Sequence, residues 1–108
     1  MVEDKLPQTL DEVREAIDGL DKELIELLAR RQKLVRQAGR LKPKNDVQAV
    51  SALERVAQVI ASRRAYAEKA GLSPEVAEAV WHSMIDVFIK LEMETNRVDG
   101  GSQHFGHN

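Results

Sequence analysis

Four charged residues interrupt an apolar stripe along the first predicted helix. The stripe steps by four and three from Leu10, and Arg14, Asp21, Arg31 and Lys42 occupy positions on it. An ionised group on a buried seam is costly unless it is paired or binds a ligand. Because Asp21 can neutralise only one of the three cations, the stripe predicts a buried polar pocket with surplus positive charge.

Two further charged residues extend this predicted pocket. Arg55 stands beside the apolar Val56 on the second predicted helix, and Glu92 falls on the apolar face of the third. Two alternatives stay open. The long cations could lie along apolar surface with their charged ends in water, above all Arg14 and Lys42, which lie near helix ends. Glu92 could be an exposed helical acid.

The composition narrows the chemistry that such a pocket can perform. The 108 residues include no cysteine and three histidines, so no disulfide, thiol nucleophile or Cys- or His-rich metal site is expected. We therefore expect no metal and no cofactor. The chain has no run of about 18 apolar residues and no apolar segment within residues 1–9, which predicts a soluble cytoplasmic protein without a membrane partner.

The distribution of charge gives little support for nucleic-acid binding. The chain has 16 basic and 18 acidic side chains, which leave a formal charge of −2. Residues 30–44 contain several Lys and Arg and no acid, a pattern that could meet phosphates. These cations also suit the negative end of a helix dipole, and no aromatic residue lies among them, so no nucleic-acid partner is expected.

The sequence predicts an all-α fold of three helices, over residues 10–42, 51–71 and 74–97. Thr9 and Glu12 form a capping-box pattern before the first helix, and Ser51 and Glu54 repeat it before the second. Ser73 is the predicted N-cap of the third. The chain is thus divided into an N-terminal extension (1–9), a helical domain (10–97) and a disordered tail (98–108).

The first predicted helix is too long for a compact monomer. About 33 residues at roughly 1.5 Å each form a rod of about 50 Å, whereas a compact domain of this size has a radius of gyration of about 13 Å. Apolar residues follow nearly its whole length, at 13, 20, 27, 34 and 41 and beside them at 10, 17, 24, 28, 35 and 38. We expect an intertwined homodimer; a coiled coil or a three-helix bundle with a protruding arm is the alternative.

These segments together resemble the all-helical chorismate mutase family, which includes isochorismate-pyruvate lyases. The resemblance covers residues 10–95 and is carried by residues 13–18, 20–21, 27–31, 42, 54–56 and 89–92. Its specific part is the spacing of Arg14, Arg31 and Lys42, at intervals of 17 and 11. The resemblance implies an intertwined dimer of three-helix protomers with shared active sites, in which Arg14 comes from one protomer and the other residues come from its partner.

The resemblance also implies a reaction and a role for each residue. The reaction converts the dicarboxylate chorismate to prephenate without a nucleophile, so the enzyme must hold a compact conformer and stabilise charge on the ether oxygen. Arg14 and Arg31 would bind the carboxylates, Arg55 would contact or orient the carboxylate end, and Lys42 would donate to the ether oxygen. Glu92 would be the second catalytic residue. The implied pocket lining is Val35, Val56 and Phe88.

Some positions depart from the mutases of this family. Ala52 and Val56 stand where mutases often carry acids that hold the substrate hydroxyl, and Phe88 replaces a small polar residue; both features favour the lyase branch. Glu92 stands where glutamine is common. A glutamate can donate a hydrogen bond only when protonated, so we expect activity to fall as pH rises.

Three functions therefore stay open. We favour a chorismate mutase, because that reaction is the commoner one on this scaffold. An isochorismate-pyruvate lyase, which forms salicylate and pyruvate, is the second interpretation. A non-catalytic helical dimer is the alternative from another class. The loop at residues 43–50 resembles the segment that closes over the site in the family.

Overall fold

A computed structural model describes residues 6–101 of the chain, and the regular secondary structure within them is α-helical. The helices are α1 (Leu10–Leu41), α2 (Val47–Ser51), α3 (Leu53–Ala70) and α4 (Pro74–Asp99). The predicted all-α fold of three helices with a long N-terminal helix is confirmed. The five-residue α2 is an addition, within a segment that we predicted to be a loop.

Local capping chemistry fixes most helix ends as predicted. The backbone N–H of Glu12 donates to Thr9 Oγ1 at 3.1 Å, and the Thr9 N–H donates to Glu12 Oε1 at 3.3 Å, which is the predicted capping box. Ser73 Oγ accepts from the Val76 N–H at 3.3 Å before Pro74. Gly71, with φ of 82°, ends α3 in the left-handed conformation.

The predicted cap at Ser51 is wrong. Asp46 provides an earlier cap, because its side chain accepts from the Ala49 N–H at 2.9 Å, and the chain therefore starts α2 at Val47. Ser51 becomes the last residue of this helix. Ala52 follows in the left-handed conformation, with φ of 42°, and α3 starts behind it without a side-chain cap. The left-handed backbone of Ala52 separates α2 from α3.

The described residues fall into two units, which divide between Lys33 and Leu34. The first unit contains the N-terminal part of α1. Its large apolar side chains are exposed, at Leu10, Ile17, Leu20, Leu24, Ile25, Leu27 and Leu28. A monomeric soluble protein rarely exposes such a row of aliphatic side chains along one helix.

The second unit contains the end of α1 and all of α2, α3 and α4. Its core lies between α3 and α4, where Val59, Ile60 and Ile85 are buried against one another. Both α2 and α3 pack on α4. Arg64 ties α3 to the start of α4 through a 2.6 Å ion pair with Glu78. Helix α4 is therefore the element that organises this unit.

The C-terminal end of α4 is longer than predicted. The helix runs to Asp99, beyond the boundary that we set at residue 97. The next residues pair with the segment after α1: the Gly101 N–H donates to the Lys42 carbonyl at 2.9 Å, and the Lys44 N–H donates to the Gly101 carbonyl at 3.0 Å. Residues 1–5 of the predicted extension and 102–108 of the predicted tail lie outside the described residues. No helix within residues 6–101 has the length and apolar character needed to cross a membrane.

Candidate active site at the end of α1

The end of α1 lies very close to α4, and a glycine makes this approach possible. A Cβ atom at Gly39 would lie 3.0 Å from the backbone oxygen of Glu92 and 3.1 Å from its Cγ. From the sequence alone, Gly39 is a residue of low helix propensity inside a long predicted helix. The structure shows that it is a contact position, which sequence periodicity could not reveal because the neighbour lies 53 residues further along the chain.

This approach brings Lys42 and Glu92 together. Lys42 Nζ lies 2.6 Å from Glu92 Oε2, and the two side chains are 29% and 10% exposed. The alternative that Glu92 is an exposed acid is wrong, since the residue is buried. Lys42 follows α1, where a cation also interacts favourably with the helix dipole. The ammonium has three donors, so two remain for a ligand after the bond to Glu92.

A second residue of α4 holds the backbone around Lys42. Asn96 is 2% exposed, and its amide nitrogen Nδ2 donates to the carbonyl oxygens of Gly39, Lys42 and Pro43 at 2.8, 3.1 and 3.0 Å. Its Oδ1 accepts from the Asn45 N–H at 2.7 Å. The sequence pattern did not indicate a role for Asn96. The only available signal was its position four residues after Glu92, on the same face of the predicted helix.

The other predicted site residues of the second unit lie on different elements. Arg55 is exposed on α3, where it lines an open cleft of about 550 Å³ together with residues of α2 and the start of α3. Val56 packs against the α3–α4 core. Val35 on α1 and Phe88 on α4 are half-buried. Within the second unit, Lys42 and Glu92 are in direct contact.

Two predicted cations belong to the first unit. Arg14 is exposed on α1, as is Asp21, whereas Arg31 is half-buried. For Arg14 and Asp21, the burial that their stripe position suggested does not occur within the single chain. Their burial on a seam with a second chain stays a prediction, as do the roles of Arg14 and Arg31 with a substrate.

Residues 13–93 match the family model described as chorismate mutase type II. The match contains every residue predicted for the site, from Arg14 to Glu92. Because it covers most of the chain, the chain belongs to the chorismate mutase type II family.

Individual relatives represent more than one kind of protein. The T-protein of Haemophilus influenzae is 41% identical over 73 residues, which are 68% of this chain and 19% of that protein. The T-protein of Enterobacter agglomerans is 39% identical over 71 residues, again 19% of its length. The isochorismate pyruvate lyase of Pseudomonas aeruginosa is 32% identical over 93 residues, which are 86% of this chain and 90% of the lyase. The chain thus spans about a fifth of the T-proteins and nearly all of the lyase.

The contact at Gly39 leads to a test with a matched control. A glycine-to-alanine change in an open helical position stabilises a protein by about 1 kcal/mol, and we expect this for Gly19→Ala, where nothing lies within 4 Å of the added Cβ. At Gly39 the added Cβ meets the Glu92 backbone, so we expect Gly39→Ala to lower the free energy of unfolding by about 1–3 kcal/mol. Urea unfolding measures both changes. Equal stabilisation by the two substitutions would contradict the close packing at Gly39.

Proposed function

We propose that this protein is a chorismate mutase, which converts chorismate to prephenate. The observation that carries the proposal is the contact between Lys42 and Glu92, 2.6 Å apart and partly buried, inside the region that matches the chorismate mutase type II family. The contact places an ammonium donor and a carboxyl group at the end of α1. The family resemblance assigns these two residues to the ether oxygen of the substrate.

The reaction needs positioning and electrostatic stabilisation and no nucleophile. Chorismate carries two carboxylates, and its rearrangement breaks a carbon–oxygen bond at the ether, where negative charge develops in the transition state. Lys42 donates to this oxygen. Arg14 and Arg31 bind the carboxylates through their forked donors, and Arg55 orients the carboxylate end. Val35, Val56 and Phe88 line the pocket.

An isochorismate-pyruvate lyase is the second candidate, and two observations favour it. The matched lyase of Pseudomonas aeruginosa covers 86% of this chain and aligns over 90% of its own length. In addition, Val56 and Ala52 carry apolar side chains, so neither can hold the substrate hydroxyl as the acids of many mutases do. This reaction eliminates pyruvate and leaves salicylate.

Incubation with each substrate separates the candidates. The purified chain is supplied with chorismate or isochorismate, and the products are identified by chromatography. Prephenate from chorismate is the expected result. Salicylate and pyruvate from isochorismate, with chorismate turned over only weakly, would assign the protein to the lyase branch. Turnover of neither substrate would favour the non-catalytic helical dimer.

We further propose that the protein is a homodimer in which two chains share their active sites. Support comes from the first unit, where the row of aliphatic side chains on α1 is exposed. Exposed apolar surface of this extent typically marks a protein interface. Full burial of an exposed aliphatic side chain contributes roughly 1.5–3 kcal/mol. The side chains of this row are 40–65% exposed, so each would contribute part of that amount and pairing along the row would be favourable.

Sedimentation equilibrium tests the dimer. We expect a mass of twice 12.1 kDa for the unmodified chain. Leu24→Glu places a charge in the exposed apolar row and should shift the equilibrium towards monomer, whereas Lys22→Glu, off that row, should not. A folded wild-type chain of 12.1 kDa at all concentrations would contradict the proposal of shared sites.

Glu92 gives a separate prediction about pH. A carboxyl group can donate to the ether oxygen only when it carries a proton, so this proposed role predicts that wild-type kcat falls as pH rises. Glutamine donates at every pH and can still accept from Lys42. Glu92→Gln should therefore keep its activity at high pH and flatten the pH profile, measured as kcat across a pH series.

The control for this prediction is Glu94→Gln. Glu94 is exposed on α4 and pairs with Arg97 at 2.6 Å, away from Lys42. Its substitution should leave the pH profile of the wild type unchanged. A Glu92→Gln profile that follows the wild type would remove Glu92 from the mechanism.

A further inference from the structure

Two residues of α4, one helical turn apart, bind the side-chain ammonium and the backbone of Lys42. Glu92 accepts a hydrogen bond from the ammonium, and Asn96 donates a hydrogen bond to the backbone carbonyl of the same lysine. Residues four apart lie on one face of a helix. Helix α4 therefore holds both the side chain and the main chain of Lys42.

The carboxamide of Asn96 is fully engaged with main chain. Three carbonyl oxygens share the two hydrogens of Nδ2, so at least one of these bonds is bifurcated. The Gly39 carbonyl belongs to the last turn of α1, whose carbonyls have no partner within the helix. Asn96 thereby donates to an otherwise unpaired carbonyl at the end of α1, and it also holds the backbone of the residues that follow the helix.

The peptide groups around Lys42 leave it little freedom. Its N–H donates to the Ala38 carbonyl at 3.1 Å, and its carbonyl accepts from both Asn96 and the Gly101 N–H. Three residues later, Asn45 has a left-handed backbone, with φ of 63°, and its N–H donates to Asn96 Oδ1. Movement of the Lys42 main chain would break several of these bonds together.

We propose that Asn96 is a positioning residue for Lys42. It acts through the backbone of Lys42 and holds the ammonium where the ether oxygen of a bound substrate lies, so the inference rests on the proposed function. Misplacement of a catalytic group by about 1 Å can reduce a rate by about a hundredfold. Asn96 lies beyond residue 93, where the match to the family ends, so the family match assigns it no role.

The competing explanation is that Asn96 only stabilises the fold. A purely structural residue lowers the melting temperature when it is substituted, but the molecules that remain folded keep their kinetic constants. A positioning residue for Lys42 affects an interaction that strengthens in the transition state, so its loss lowers kcat with little change in KM. This division between kcat and KM distinguishes the two roles.

The experiment compares Asn96→Leu, Asn96→Gln and Val59→Ala in the full chain. Asn96→Leu removes the donors and the acceptor, whereas Asn96→Gln keeps both on a longer arm. Val59 is buried in the α3–α4 core away from Lys42, so Val59→Ala is a control for lost stability. Melting temperatures are measured first, and kcat and KM are then determined on folded protein with the substrate that the wild type converts.

We expect Asn96→Leu to lower kcat by at least about tenfold with KM within about threefold, and Asn96→Gln to recover part of the loss. Val59→Ala should lower the melting temperature and leave both constants within about twofold, since it removes only packing. An Asn96→Leu protein that behaves like Val59→Ala, or that changes KM alone, would overturn the inference.

Two further results are decisive. If Asn96→Leu does not fold, Asn96→Ser takes its place under the same criteria, because a serine hydroxyl has a single hydrogen and cannot replace the bonds to three carbonyl oxygens. If the wild type converts neither chorismate nor isochorismate, the proposed function fails and this inference fails with it. An active wild type with a fully active Asn96→Leu variant would refute the role of Asn96 alone.

Discussion

The packing of the end of α1 on α4 is the constraint on which the candidate site depends. Gly39 allows backbone to approach backbone there, because a Cβ would lie only 3.0 Å from the Glu92 carbonyl oxygen. At that separation the short carboxamide of Asn96 can span the gap, and the ammonium of Lys42 can reach Glu92. A wider separation would leave the last carbonyls of α1 without these bonds and the Glu92 carboxylate without its cation.

The pairing of Lys42 with Glu92 also limits what this lysine can bind. A buried charge without a partner costs several kcal/mol, so each member stabilises the other. A substrate carboxylate next to Lys42 would compete with Glu92 for the same ammonium group. An ether oxygen carries no formal charge and can accept one of the remaining ammonium donors. The pair therefore suits the proposed division of roles, in which arginines bind the carboxylates and Lys42 serves the ether oxygen.

The parts of the fold that follow from neighbouring residues could be predicted, and those that depend on distant partners could not. The caps at Thr9 and Ser73 involve bonds over three residues, and both were confirmed. Ser51 matched the same pattern, but the side chain of Asp46 caps a helix that begins earlier, at Val47, and Ser51 lies at its end. Periodicity placed Glu92 on the apolar face of its helix, and its role came from the family resemblance. Asn96 had no such signal, because its partners are main-chain groups 51–57 residues away that carry no sequence signature.

The described site fits both reactions of the family for a physical reason. Chorismate and isochorismate are isomeric dicarboxylates that differ in the position of the ring hydroxyl, and both lose an ether bond in a unimolecular step. In the proposed mechanism, Lys42, Glu92 and Asn96 act at or near the ether oxygen, which the two substrates share. Discrimination must come from groups near the hydroxyl. The family resemblance assigns the positions of Ala52 and Val56 to the hydroxyl, and neither side chain can form a hydrogen bond. A mutase with this sequence would therefore have to bind the hydroxyl of chorismate through other groups, whereas a lyase would not need these positions to do so.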